Sequence, residues 1–89
     1  MKFRAKHILV EQKYEIEDIQ KKLVSGESFE NLAKDYSLCG SAKEGGDLGE
    51  FSKGMMVKPF EDALVKLKAN EVSGVVQTQF GYHLILRIQ

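Results

Sequence analysis

Residues 75–88, VVQTQFGYHLILRI, decide the fold. Val75 to Thr78 and Tyr82 to Ile88 are rich in strand formers, and Phe80 with Gly81 supplies a turn between them. Along the second run Tyr82, Leu84, Leu86 and Ile88 share one face, and His83, Ile85 and Arg87 share the other. Upstream, Pro59 suits the first turn of a helix, where its missing N–H costs little. Phe60, Ala63, Leu64 and Leu67 then form one apolar stripe. Glu61 and Asp62 lie near the positive end of that helix dipole and Lys66 and Lys68 near the negative end, with Asn70 placed to close it. Before this helix, Ser37 to Gly54 holds five of the eight glycines and reads as a loop, broken by a short strand at Leu48 to Phe51.

The amino-terminal third completes the pattern. FRAKHILV, residues 3–10, alternates as a strand with Phe3, Ala5, His7 and Leu9 on one face. From Gln12 to Ser25, Ile16, Ile19 and Leu23 recur at helical spacing, and Gly26 accepts the left-handed conformation that ends such a helix. Ser28 caps a second helix, whose stripe is Phe29, Leu32, Ala33 and Tyr36. The order strand, two helices, loop with strand, helix, two strands predicts an α+β domain with a small, mostly antiparallel sheet.

Composition narrows the function. The chain has 89 residues, enough for one core and not two, so a single domain over residues 1–89 is expected. Thirteen Lys and Arg against thirteen Asp and Glu give no basic excess, which argues against nucleic acid as a partner. No apolar run approaches the roughly 20 residues of a membrane span, and MKFRAKHILVEQ has no long apolar stretch or small-residue cleavage site of a secretory signal. Cys39 is the one cysteine. A reducing cytoplasm is therefore the expected setting, with export expected only if the chain is a domain cut from a longer exported chain.

The polar residues least explained by packing are His7, Cys39 and His83, because each histidine sits in an apolar strand. A satisfied core histidine is one reading of each. A metal site from two imidazoles and one thiolate is another, but the three residues are scattered and structural zinc takes four ligands, so no metal is expected. A Cys/His nucleophile pair needs a cleft, an oxyanion hole and an orienting third residue, for which 89 residues leave little room. GSAKEGGDLG, residues 40–49, is glycine-rich but lacks phosphate-loop spacing and reads as a turning loop.

Four segments together carry more. KHILV (6–10), YSLCGSAKEGGDLGEFSKGMMVKPFEDALVKL (36–67), EVSGVV (71–76) and FGYHLI (80–85) resemble, in order and spacing, the parvulin family of peptidyl-prolyl cis/trans isomerases. The resemblance covers nearly the whole chain, and small free-standing parvulins and the parvulin domains of larger foldases are the nearest types. It implies an FKBP-like superfold: a four-stranded sheet surrounded by helices. It also implies catalytic positions at His7, Cys39, His83 and Thr78, a proline-ring pocket of Leu48, Met56 and Phe60, and Phe80 at the pocket rim. No cofactor is implied. Partners are proline-containing polypeptides, met by a monomer without membrane or nucleic acid.

The chemistry implied is rotation about an X-Pro bond against a barrier of about 18 to 20 kcal/mol, during which no bond is made or cut. An apolar pocket would hold the ring while the preceding carbonyl turns, so Cys39 need only set polarity beside it. Phosphate-specific members place basic residues just after the first histidine. Here Ile8, Leu9, Val10 and Glu11 follow His7. No phosphate requirement is expected, and an apolar or neutral residue before proline is.

Overall fold

The computed structural model describes residues 2–89. Its elements in chain order are β1 (Lys2–Val10), α1 (Lys13–Val24), α2 (Phe29–Tyr36), a 3-10 helix (Gly40–Glu44), β2 (Asp47–Ser52), α3 (Lys58–Val65), β3 (Val76–Thr78) and β4 (Gly81–Arg87). Four strands form one sheet in the order β2-β1-β4-β3, with every neighbouring pair antiparallel. Strands from the two ends of the chain thus lie side by side at its centre.

Alternation along those central strands gives the sheet two apolar faces. On one, Ile8, Val10 and Leu84 pack with Ile16 and Ile19 of α1 and with Phe29, Leu32 and Ala33 of α2. On the other, Phe3, Ala5 and Ile85 pack with Phe51 of β2 and with Phe60 and Leu64 of α3. Period-two side chains demand this, because a strand with apolar residues on both sides must be covered twice. Fully burying each large side chain stabilises the fold by about 1.5–3 kcal/mol.

Local signals set the helix starts. Ser28 Oγ accepts the Asn31 N–H at 3.1 Å, and at the start of α1 the Glu15 carboxylate accepts the Gln12 N–H at 3.0 Å. Gly26 follows α1 in the left-handed region at φ 108°. Pro59 lies in the first turn of α3.

Two expectations fail for tertiary reasons. The third helix ends at Val65, well before Asn70. Lys66 and Leu67 donate to the Ala63 and Leu64 carbonyls, which tightens the turn, and Arg87 Nη1 captures the Leu67 carbonyl at 2.6 Å. Asn70 then donates its N–H to the Arg87 carbonyl with its own φ at 67°, so the chain has already joined β4. Tyr36, expected in the buried stripe of α2, is 44% exposed, with Lys22 Nζ 5.8 Å above its ring. An amphipathic tyrosine tolerates such a half-exposed position, since part of its ring can pack while the rest stays in water.

Candidate active site

His7 stands on β1 and His83 on β4. The strands pair so that His7 lies opposite Ile85 and Leu9 opposite His83. All four share one sheet face, and the two histidines are diagonal neighbours on it. Their Nδ1 atoms are 3.2 Å apart, and the rings stack with centroids 5.3 Å apart and planes 19° from parallel. Phe60 of α3 meets both rings edge-on, 5.6 Å from each centroid. One phenylalanine therefore fixes the plane of both imidazoles.

Both histidines are buried, 6% and 3% exposed. Burial, and secondarily the neighbouring His83, lowers the His7 pKa from 6.5 to about 4; burial also lowers that of His83. Each ring is accordingly neutral at pH 7 and carries one N–H. Thr78 Oγ1 lies 2.7 Å from His83 Nε2 and accepts the Phe80 N–H at 3.1 Å. Thr78, His83 and His7 thus form a chain with one proton per link. Either the threonine hydroxyl donates to His83, which donates to His7, or both links run the other way.

Beside this chain a hollow of about 420 Å³ opens at the surface. His7, His83, Phe60, Leu48, Met56, Cys39 and Phe80 are among the residues that line it. Seven of the eight singled-out side chains therefore share one hollow. Thr78 does not line it and reaches it through His83.

Each wall has a local cause. Asp47 pairs with Arg4 at 2.6 Å and accepts the Gly49 N–H at 2.8 Å, which shapes the irregular start of β2 that presents Leu48. The Arg4 guanidinium holds the Asp47 carboxyl below its ordinary range. Ser37 Oγ accepts two backbone N–H groups, from Leu9 at 3.1 Å and Cys39 at 3.3 Å, tying the cysteine to the end of β1. Gly46 sits at φ 86° against the His7 backbone, and its carbonyl accepts the His7 N–H at 3.0 Å. A Cβ there would overlap the His7 carbonyl oxygen.

Sequence reasoning missed three lining residues: Leu9, Met55 and Val57. Leu9 was within reach, since it shares the His7 face of a period-two strand. The 68% exposed Met55 carried no periodic signal.

The hollow can hold an apolar ring but offers few hydrogen-bond partners, and no charge lies in its wall when the histidines are neutral. Comparison with known proteins agrees with that chemistry. The Rotamase family model, the PPIC-type PPIASE domain, matches residues 5–89. Foldase protein PrsA of Bacillus subtilis is 53% identical over 89 residues, covering 99% of this chain and 30% of PrsA. The crystal structure of that PrsA superposes with a TM-score of 0.95, at 52% identity, over 99% of this chain and 35% of that one. NmPin, the parvulin of Nitrosopumilus maritimus, gives a TM-score of 0.86 at 53% identity, covering 99% of this chain and 96% of NmPin. The chain thus spans less than a third of the PrsA relative it matches and nearly all of NmPin. On the match over residues 5–89 and these relatives, the chain belongs to the PPIC-type peptidyl-prolyl cis/trans isomerase family, the parvulins.

Proposed function

We propose that this chain accelerates cis/trans rotation of X-Pro bonds in unfolded or flexible polypeptide segments, noncovalently and without a phosphate requirement. The observation that carries the reading is the apolar hollow bounded by a buried, neutral histidine pair. Met56, Leu48 and Phe60 grip the pyrrolidine, and the flexible methionine thioether suits a site that accepts the ring in two orientations. Phe80 closes the rim, and His7, His83 and Thr78 form a rigid floor under the carbonyl that precedes proline.

As the amide twists, its oxygen loses negative charge and its nitrogen becomes basic. A hollow with no cation withholds from the planar amide the stabilisation that its polarised oxygen would draw from a strong donor. The twisted state gives up less on leaving water, so the barrier falls. Cys39 sets polarity beside the carbonyl and need not attack it.

Residues 1–89 work in this reading as one domain and as a monomer on polypeptide, without membrane or nucleic acid. The setting is the reducing cytoplasm, or the outside of the cell where the domain belongs to a longer exported foldase. NMR exchange spectroscopy on a proline tetrapeptide tests the core of it: added protein should produce cis/trans exchange cross-peaks at sub-second mixing times. Peptide shift changes without exchange would leave only a proline-binding module.

A further inference from the structure

Met55, Met56 and Val57 all come from the loop between β2 and α3, and all three line the hollow. The loop is held by few bonds. Met55 N–H donates to the Ser52 carbonyl at 3.2 Å, and Ser52 N–H points at the Met55 sulfur at 3.3 Å; both ties run to the last residue of β2. On the far side Val57 caps α3, its carbonyl accepting the Glu61 N–H at 3.1 Å, and Met56 and Val57 pack against the core; the side-chain bond that ties the turn itself to α3 comes from Glu61. Its two carboxylate oxygens accept the Gly54 N–H at 3.2 and 3.3 Å. Glu61 is half-buried and stands in the first turn of α3, one residue after Phe60. The helix terminus favours a carboxylate there, and its charge strengthens the bond to an amide. Helix α3 therefore fixes Phe60 by packing, and the Glu61 side chain adds a bond that holds the turn leading to the methionine rim.

We propose that Glu61 is a positioning residue for the methionine wall, setting how tightly the hollow holds a proline ring. This rests on the isomerase reading of the same hollow. The rim grips the ring in both planar isomers and in the twisted state alike. Losing its anchor should weaken uniform binding and so raise KM while kcat stays nearly constant. A residue acting on the rotating carbonyl would do the reverse.

The test uses the whole chain as wild type, Glu61→Ala and Glu61→Gln, with a proline tetrapeptide titrated by NMR. Peptide Kd is read from shifts and saturated turnover from exchange rates. For Glu61→Ala we expect Kd and KM to rise about fivefold, kcat to stay within about twofold, and the Gly54 amide to lose its downfield shift and its protection from solvent exchange. Glu61→Gln keeps one oxygen acceptor and should recover most of the affinity. If Glu61→Ala binds and turns over like wild type, or if kcat falls while Kd holds, the positioning role is wrong. Wild type that binds peptide but shows no exchange would sink the isomerase reading instead, and Kd alone would still decide the role of Glu61.

Discussion

The Nδ1 atoms of His7 and His83 approach to 3.2 Å although the two residues stand 76 positions apart in the chain. Two strands from opposite ends pair in antiparallel register and bring the rings together, and Phe60 holds both edge-on. The pair forms only in the folded protein, so its protonation is linked to folding.

Stability should fall as the solution is acidified from pH 6.5 toward pH 4. Above 6.5 both histidines are neutral folded and unfolded. Below it the unfolded chain takes up protons that folded His7, with its pKa near 4, refuses. By pH 4 the His7 contribution lost amounts to about 3 kcal/mol, with His83 adding in the same direction. Urea unfolding at half-unit pH steps measures this. Replacing His7 with Leu should flatten the slope in that window, and an unchanged slope would contradict the burial argument.

Single replacement of His83 by Leu should cost about 1–3 kcal/mol, because it leaves His7 Nδ1 and Thr78 Oγ1 with a buried partner missing. The double change His7→Leu with His83→Leu should cost less than the two singles together, since no orphaned imidazole remains. Both readouts, thermal melting and turnover, should move. Full loss of rate with an unchanged melt would show that the pair is not architectural.

Cys39→Asp should retain turnover within about tenfold of wild type and exceed Cys39→Ala, because a polar neighbour of the carbonyl is kept while a nucleophilic thiol is not. Measured by exchange spectroscopy, loss of all activity in the aspartate variant, together with a trapped adduct on the native cysteine, would establish a covalent path.

Gly46→Ala should lower stability by about 3 kcal/mol or more, since the position combines φ 86° with a Cβ that overlaps the His7 carbonyl oxygen. Turnover should drop further than the melt alone explains, because the strain falls on the His7 backbone. A near-native melting temperature would show that the turn between the 3-10 helix and β2 gives way freely.

A phosphoserine-proline peptide should turn over no faster than its unphosphorylated twin, as Glu11 follows β1 where phosphate-specific relatives would carry cations. Parallel exchange spectra on the two peptides decide it. A tenfold preference for the phosphorylated one would refute it.

Whatever depends on neighbours along the chain was legible in the residues themselves. Alternation in FRAKHILV and YHLILRI determined which side of each strand His7 and His83 would share with apolar residues. Ser28, Gly26 and Pro59 marked helix ends because a cap or a fixed φ acts within one turn. Recurrence of several motifs at family spacing pointed to the members of the hollow. Tertiary structure alone decided that the sheet order is β2-β1-β4-β3, which puts the two histidines on adjacent strands. It also stopped α3 at Val65, where Arg87 captures a carbonyl that local propensity would have left in the helix. The Glu61 to Gly54 bond and the presence of Met55 and Val57 around the hollow belong to the same class. Such contacts join segments whose separation in space is set by packing the whole core, and no periodicity within either segment encodes it.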